Sequence, residues 1–136
     1  MYEKAFKVEI VTPERVVFRD EATSVSAPGV QGRFQVLYNH ASFLSALQIG
    51  EVKVRDKGGK DIVYATSGGF VEVKNNAVVV LVETAERASE IDVERAGAAK
   101  ERATKRLHAK YGDIDHARAQ MALLRALNRL GLAEKG

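Results

Sequence analysis

An N-terminal antiparallel β-sandwich followed by a C-terminal two-helix antiparallel hairpin is the fold predicted by this 136-residue sequence. Three observations carry the prediction. Up to about residue 84, apolar and polar residues alternate in short runs punctuated by Gly, Pro and Asn, as in half-buried strands joined by tight turns. From about Thr84 the grammar changes: proline disappears, twelve alanines occur, and apolar residues recur with a helical period. A single polar break, Tyr111-Gly112-Asp113, then divides the helical part into two pieces.

In the first region, Phe6-Lys7-Val8-Glu9-Ile10 alternates as one strand, and Thr12-Pro13-Glu14-Arg15 turns the chain. Val16-Val17-Phe18 and Ala22 to Ala27 follow as two short strands, closed by Pro28-Gly29. Arg33 to Leu37 is another. Gly50 to Arg55 alternates, turns at Lys57-Gly58-Gly59-Lys60 and returns as Ile62 to Ala65. Phe70 to Val73 turns at Asn75-Asn76 and returns through Val78 to Val82. Strands at this spacing suggest an antiparallel sandwich or barrel over residues 1–84.

Residues 85–91 are expected to form a linker, and residues 92–136 the hairpin. Asp92 suits the N-cap of the first helix, ahead of Val93-Glu94-Arg95-Ala96. Ala96, Ala99, Ala103 and Leu107 draw one apolar stripe along it. Asp113 or Asp115 caps the second helix. Ile114, Ala117, Met121, Leu124 and Ala126-Leu127 supply its stripe, and Gly131 is expected to stop it near Leu130. A stripe made mostly of alanine packs closely but shallowly, so the hairpin is expected to be able to leave its docking surface.

Composition removes several kinds of chemistry. Without cysteine there is no disulfide framework, thiolate zinc site or thiol nucleophile. The three histidines, His40, His108 and His116, never fall in a spacing such as H-x-x-x-H. Met1-Tyr2-Glu3-Lys4 leads into a strand pattern rather than a leader. The longest apolar run, Ala77 to Val82, is far shorter than the ~18 residues that suggest a membrane span. A soluble chain is therefore expected, reaching a membrane only through a partner. Gly59-Lys60 lacks the spacing of a phosphate loop, and Gly29-Val30-Gln31-Gly32 lacks the third glycine of a dinucleotide fingerprint. Gly58-Gly59 reads as a hairpin turn and His40 as a loop or core histidine.

The formal charge of +3 is unevenly placed. Residues 1–84 hold ten basic and ten acidic side chains, whereas residues 105–136 hold seven basic and three acidic ones. Arg125 and Arg129 are four apart and share a helix face. Antiparallel closure of the hairpin would bring them toward Asp92 and Arg95. Together with Glu86 and Arg102, these residues form either a polyphosphate cradle, since guanidinium groups grip phosphate oxygens bidentately, or solvated faces with ion pairs one turn apart. Ser67-Gly68-Gly69-Phe70 marks a bulge or a close backbone approach.

Taken in order, Val11-Thr12-Pro13, Ser24-Val25-Ser26-Ala27-Pro28-Gly29, the loop ending in His40, Ser67-Gly68-Gly69-Phe70-Val71-Glu72-Val73, Glu83-Thr84-Ala85-Glu86-Arg87-Ala88 and the helical hairpin form a recognisable series. Over roughly residues 3–133 the chain resembles the epsilon subunit of bacterial rotary (F-type) ATP synthases. The Ser-Gly-Gly-Phe strand and the Ile-Asp-x-x-Arg-Ala motif at residues 91–96 are together the specific part. One departure stands in the loop, usually Gly-Glu-x-Gly-x-Leu-Pro-x-His and here Gly32-Arg33-Phe34-Gln35-Val36-Leu37-Tyr38-Asn39-His40.

The resemblance implies a non-catalytic central-stalk subunit whose sandwich bridges the gamma subunit and the membrane-embedded c-ring. It implies a hairpin that either folds onto the sandwich or extends along gamma into the catalytic alpha/beta ring, where it hinders ATP hydrolysis. In some members the folded form binds ATP. Carried over residue by residue, that site would comprise Glu86, Ile91, Asp92, Arg95, Arg102, Arg125 and Arg129. No cofactor is required, and ATP is a regulatory ligand, with or without Mg²⁺. The implied place is the cytoplasmic face of the bacterial cell membrane, held peripherally through the c-ring. Two alternatives remain from the basic balance: a small nucleic-acid-binding module and a stand-alone ATP sensor. Against the first, basic residues alternate with Asp and Glu, and aromatics arranged for base stacking are lacking.

Overall fold

The computed structural model describes residues 4–109 and 115–135. Seven strands run in the order β1 (Phe6–Val11), β2 (Val16–Gly29), β3 (Gly32–Val36), β4 (Phe43–Asp56), β5 (Asp61–Lys74), β6 (Ala77–Val82) and β7 (Ala85–Arg87). A 3₁₀ turn at Ala88–Glu90 leads to α1 (Val93–His108) and α2 (His116–Ala133). Neighbours in the sheet follow the order β1-β6-β5-β4-β2-β3, with β7 on β5. Because β1 pairs with β6 in parallel and with β2 antiparallel, the sheet closes on itself into a barrel-like sandwich.

Three long strands serve both layers, and here the structure departs from the short strands expected. Val16 to Gly29 is one strand, although Asp20 and Glu21 interrupt its apolar pattern. Those two acids face solvent while Val8 and Lys7 of β1 occupy the register positions opposite, so backbone pairing carries the strand through them. Pro28, which has no N–H to donate, falls within a register shift between Ser26 and Gly29 of the β2–β4 ladder. Likewise β5 continues through Gly68 and Gly69, whose φ values of 99° and 151° are open to glycine. Gly69 lies so close to the Leu81 carbonyl that a Cβ has no room there. The close approach expected of the Ser-Gly-Gly-Phe segment is thus present.

Alternation places Val8, Ile10, Val25, Val52, Val54, Val71, Val73, Val78 and Val80 in a sealed core with Tyr64. Apolar burial of this kind is the main term holding the sandwich together. Asn75 and Asn76, both with positive φ, make the tight turn between β5 and β6 as expected.

Residues 85–91, read from the sequence as a linker, hold β7 and the 3₁₀ turn instead. β7 pairs with Tyr64 to Thr66 of β5, and Ala88 and Ile91 are buried. Backbone groups left over on β5 beyond its pairing with β6 recruit this segment into the sheet. Asp92 caps α1, its Oδ1 accepting the Arg95 N–H at 3.0 Å, and Asp115 caps α2 in the same way through Arg118. The break at Tyr111-Gly112-Asp113, the alternative cap Asp113 and the stripe residue Ile114 lie outside the described residues.

α2 lies on β4, β5 and the 3₁₀ turn, and α1 packs on α2. The expected alanine stripe of α1 buries Ala96 and Ala103. On α2 the expected stripe holds at Ala126, which is buried, and fails elsewhere: Ala119 and Leu132 are buried instead, while Ala117, Met121, Leu124 and Leu127 are exposed. Small residues let the helix backbones approach closely, and the longer side chains turn outward. Nor does Gly131 stop α2, which runs on to Ala133. Glycine inside a helix costs about 1 kcal/mol. Burying Leu132 one residue later stabilises by about 1.5–3 kcal/mol, and burial wins.

Candidate functional site

The docked hairpin and the sandwich enclose a cleft of about 510 Å³. One wall comes from the sandwich. Arg15 ends the β1–β2 turn, whose shape is fixed by Thr12: its hydroxyl accepts the Arg15 N–H at 3.3 Å, and its N–H donates to the Arg15 carbonyl at 2.9 Å. Thr66 and Ser67 enter from β5, Glu86 from β7 and Glu90 from the 3₁₀ turn. Ser67 also accepts hydrogen bonds from the Thr84 N–H and hydroxyl, at 3.0 and 2.7 Å, tying the chain between β6 and β7 to β5.

The other wall is helical, with Arg125, Asn128 and Arg129 from α2 and Ala99 from α1. Arg129 grips Glu86 through two bonds, Nε to Oε1 at 2.8 Å and a terminal nitrogen to Oε2 at 3.3 Å. Asn128 donates to the Gly50 carbonyl at 3.0 Å, an oxygen that also accepts the Thr66 hydroxyl at 3.2 Å. Beyond the cleft, Leu132 and Ala133 close a small apolar cluster with Val63, Ala65, Ala88 and Ile91. Lys135 reaches Glu51 Oε2 at 2.9 Å, while Arg33 holds the other oxygen of Glu51 at 3.1 Å.

Of the residues singled out in the sequence, the fold brings Glu86, Arg125 and Arg129 to the cleft. Ile91 sits beneath Leu132 as a docking contact. Asp92 is engaged as the α1 cap, and Arg95 and Arg102 are exposed on α1, outside the lining of the cleft. Arg129 takes Glu86, another of the residues singled out, as its ion-pair partner. Sequence reasoning missed Arg15, Thr66, Ser67, Glu90 and Asn128 as lining residues. Arg15 itself stands just outside the Val11-Thr12-Pro13 motif, and only closure of the sheet brings its turn beside the helices.

Chemically the cleft offers guanidinium, amide and hydroxyl donors beside two carboxylates. Such a set is chemically suited to an anionic, hydrogen-bonding ligand, and a volume of this size lies within the range of small-molecule sites. No helix among the described residues is long and apolar enough to cross a membrane.

The ATP synthase Delta/Epsilon chain beta-sandwich domain matches residues 5–88, and the long alpha-helix domain of the same chain matches residues 89–134. The ATP synthase epsilon chain of Syntrophomonas wolfei is 50% identical over 135 residues, covering 99% of this chain and 98% of its own. That of Desulforamulus reducens is 51% identical over 131 residues, covering 96% and 98%. Among solved structures, a chain of the Euglena gracilis mitochondrial ATP synthase, from a structure of its OSCP, F1 and c-ring, superposes with a TM-score of 0.80 at 21% identity. The match covers 94% of this chain and 81% of that one. A chain from the central stalk and c-ring of the Tetrahymena thermophila enzyme gives 0.59 at 17% identity, covering 99% and 98%. With both regions matched in order and half of its residues shared with bacterial relatives along nearly the whole length, the chain belongs to the ATP synthase Delta/Epsilon family, an accessory and not a catalytic part of that enzyme.

Proposed function

We propose that the chain is a central-stalk subunit of a proton-translocating ATP synthase, coupling the gamma subunit to the c-ring at the cytoplasmic face of a bacterial membrane. Its hairpin binds ATP when docked and restrains ATP hydrolysis when extended along gamma into the alpha/beta ring. The relatives named ATP synthase epsilon chain support the stalk role, as do the neighbouring structures that contain a c-ring.

One observation supports the regulatory part: the docked hairpin borders an arginine-lined cleft and is held to the sandwich by one large buried side chain, Leu132, and a few polar bonds. Leu132 contributes about 1.5–3 kcal/mol by burial, and the Asn128–Gly50 bond about 1 kcal/mol. The ion pairs of Arg129 and Lys135 are partly solvated, which limits each to about 0–1 kcal/mol. Docking therefore rests on a few kcal/mol. A ligand that binds only the docked form, present at a hundred times its dissociation constant, adds about 2.7 kcal/mol. That is enough to decide the equilibrium. Once undocked, the basic second helix is drawn to acidic surfaces of the catalytic ring.

The test compares ATPase activity of the assembled synthase carrying the full chain with one carrying a chain truncated after residue 88. Truncation should raise hydrolysis. Equal rates would remove the hairpin's restraining role and leave the stalk role standing.

A further inference from the structure

Building on the ATP reading of the cleft, we infer that Arg15 is a further phosphate-binding residue, through which a bound polyphosphate ties the sandwich to the hairpin. The charged residues that line the cleft are Arg15, Arg125 and Arg129 with Glu86 and Glu90. Without Arg15 the two helix arginines and the two acids cancel. Arg15 supplies the positive excess that a polyanion requires.

The state of each arginine points the same way. Arg129 is held bidentately by Glu86, so much of its charge is already answered. Among the described residues, Arg15 and Arg125 have no carboxylate within ion-pair distance. The two uncompensated guanidinium groups thus stand on different walls, Arg125 on α2 and Arg15 on the β1–β2 turn. A ligand with several phosphoryl groups answers both at once, and a single phosphate satisfies fewer of them. The Thr12 hydrogen bonds hold the backbone of Arg15 in place before the ligand arrives, which lowers the ordering cost of the contact.

This bridge also says how ATP holds the hairpin down. Contacts to Arg125 and Arg129 alone join the ligand to α2. Contact with Arg15 joins it to the sandwich as well, so undocking must break ligand bonds.

Calorimetric titration of the full chain with ATP, AMP and tripolyphosphate tests the inference, using wild type, Arg15→Ala, Arg15→Lys and Arg125→Ala. Arg15→Ala is expected to weaken ATP and tripolyphosphate roughly tenfold to a hundredfold and AMP much less, with lysine restoring part of the loss. Its melting temperature without ligand should stay at the wild-type value, since Arg15 is exposed. The inference is overturned if Arg15→Ala binds ATP as wild type does while Arg125→Ala is weakened, or if ATP is weakened and tripolyphosphate is not. Failure of wild type itself to bind ATP would instead remove the nucleotide reading of the cleft, and this inference with it.

Discussion

In the sandwich, Ile10, Val25, Val52, Val54, Val71 and Val80 are sealed from solvent on facing layers; in the hairpin, the enclosed side chains are Ala96, Ala103, Ala119 and Ala126 with Leu132. Each buried valine or isoleucine stabilises by about 1.5–3 kcal/mol, whereas a buried methyl is worth about 0.8 kcal/mol. The two regions are therefore built for different work. A deep core gives the sandwich one arrangement. Alanine packing lets two helices associate closely, yet leaves their hold on the sheet to one leucine and a few polar bonds.

The largest effect should follow from opening the sandwich core. Ile10→Ala is expected to cost about 2–5 kcal/mol and to lower the thermal midpoint of the whole chain. Circular dichroism melting reads it. A midpoint within a degree or two of wild type would mean that the sandwich core is far more tolerant than its burial implies.

A smaller and local effect is expected at Leu132. Leu132→Ala should cost about 2–3 kcal/mol of docking, because the side chain closes the cluster with Ala65, Ala88 and Ile91. Amide exchange along α2 should quicken while the sandwich strands keep their protection. If both regions lose protection together, hairpin and sandwich form one cooperative unit.

The smallest effect concerns the sandwich surface. Arg55 hydrogen-bonds Asp61 at 2.9 Å and holds its carboxyl below the usual carboxylate range. A lowered folded-state pKa gives stability that is present above the ordinary carboxylate pKa and is lost as pH falls through the lowered value. Asp61→Asn should flatten the acid side of the stability–pH curve slightly and leave neutral-pH docking of the hairpin untouched. A change in docking at neutral pH would reveal coupling between the β4–β5 turn and the hairpin.

Legibility along the chain follows the range of the forces. Asp92 is readable as a cap, and Asp115 as one of two candidates beside Asp113, because capping acts within one turn. The Asn75-Asn76 turn and the Gly68-Gly69 approach were readable because left-handed backbone selects few residue types. The 14-residue length of β2 was not, since its polar pair at Asp20 and Glu21 is sustained by a neighbouring strand rather than by local pattern. In the same way the outward turn of Met121 and Leu124 depends on how closely α1 and α2 approach.

By itself, then, the sequence determined a strand region, a helix region, the caps and turns within them and the concentration of surplus positive charge toward the C-terminal end. These depend on period and backbone preference, which act over a few residues. Tertiary structure alone decided that Glu86 answers Arg129, that Leu132 carries the helix past Gly131 and that Arg15 joins the cleft. Such pairings join groups far apart in the chain, and only the closed sheet and the docked helix set the distances between them.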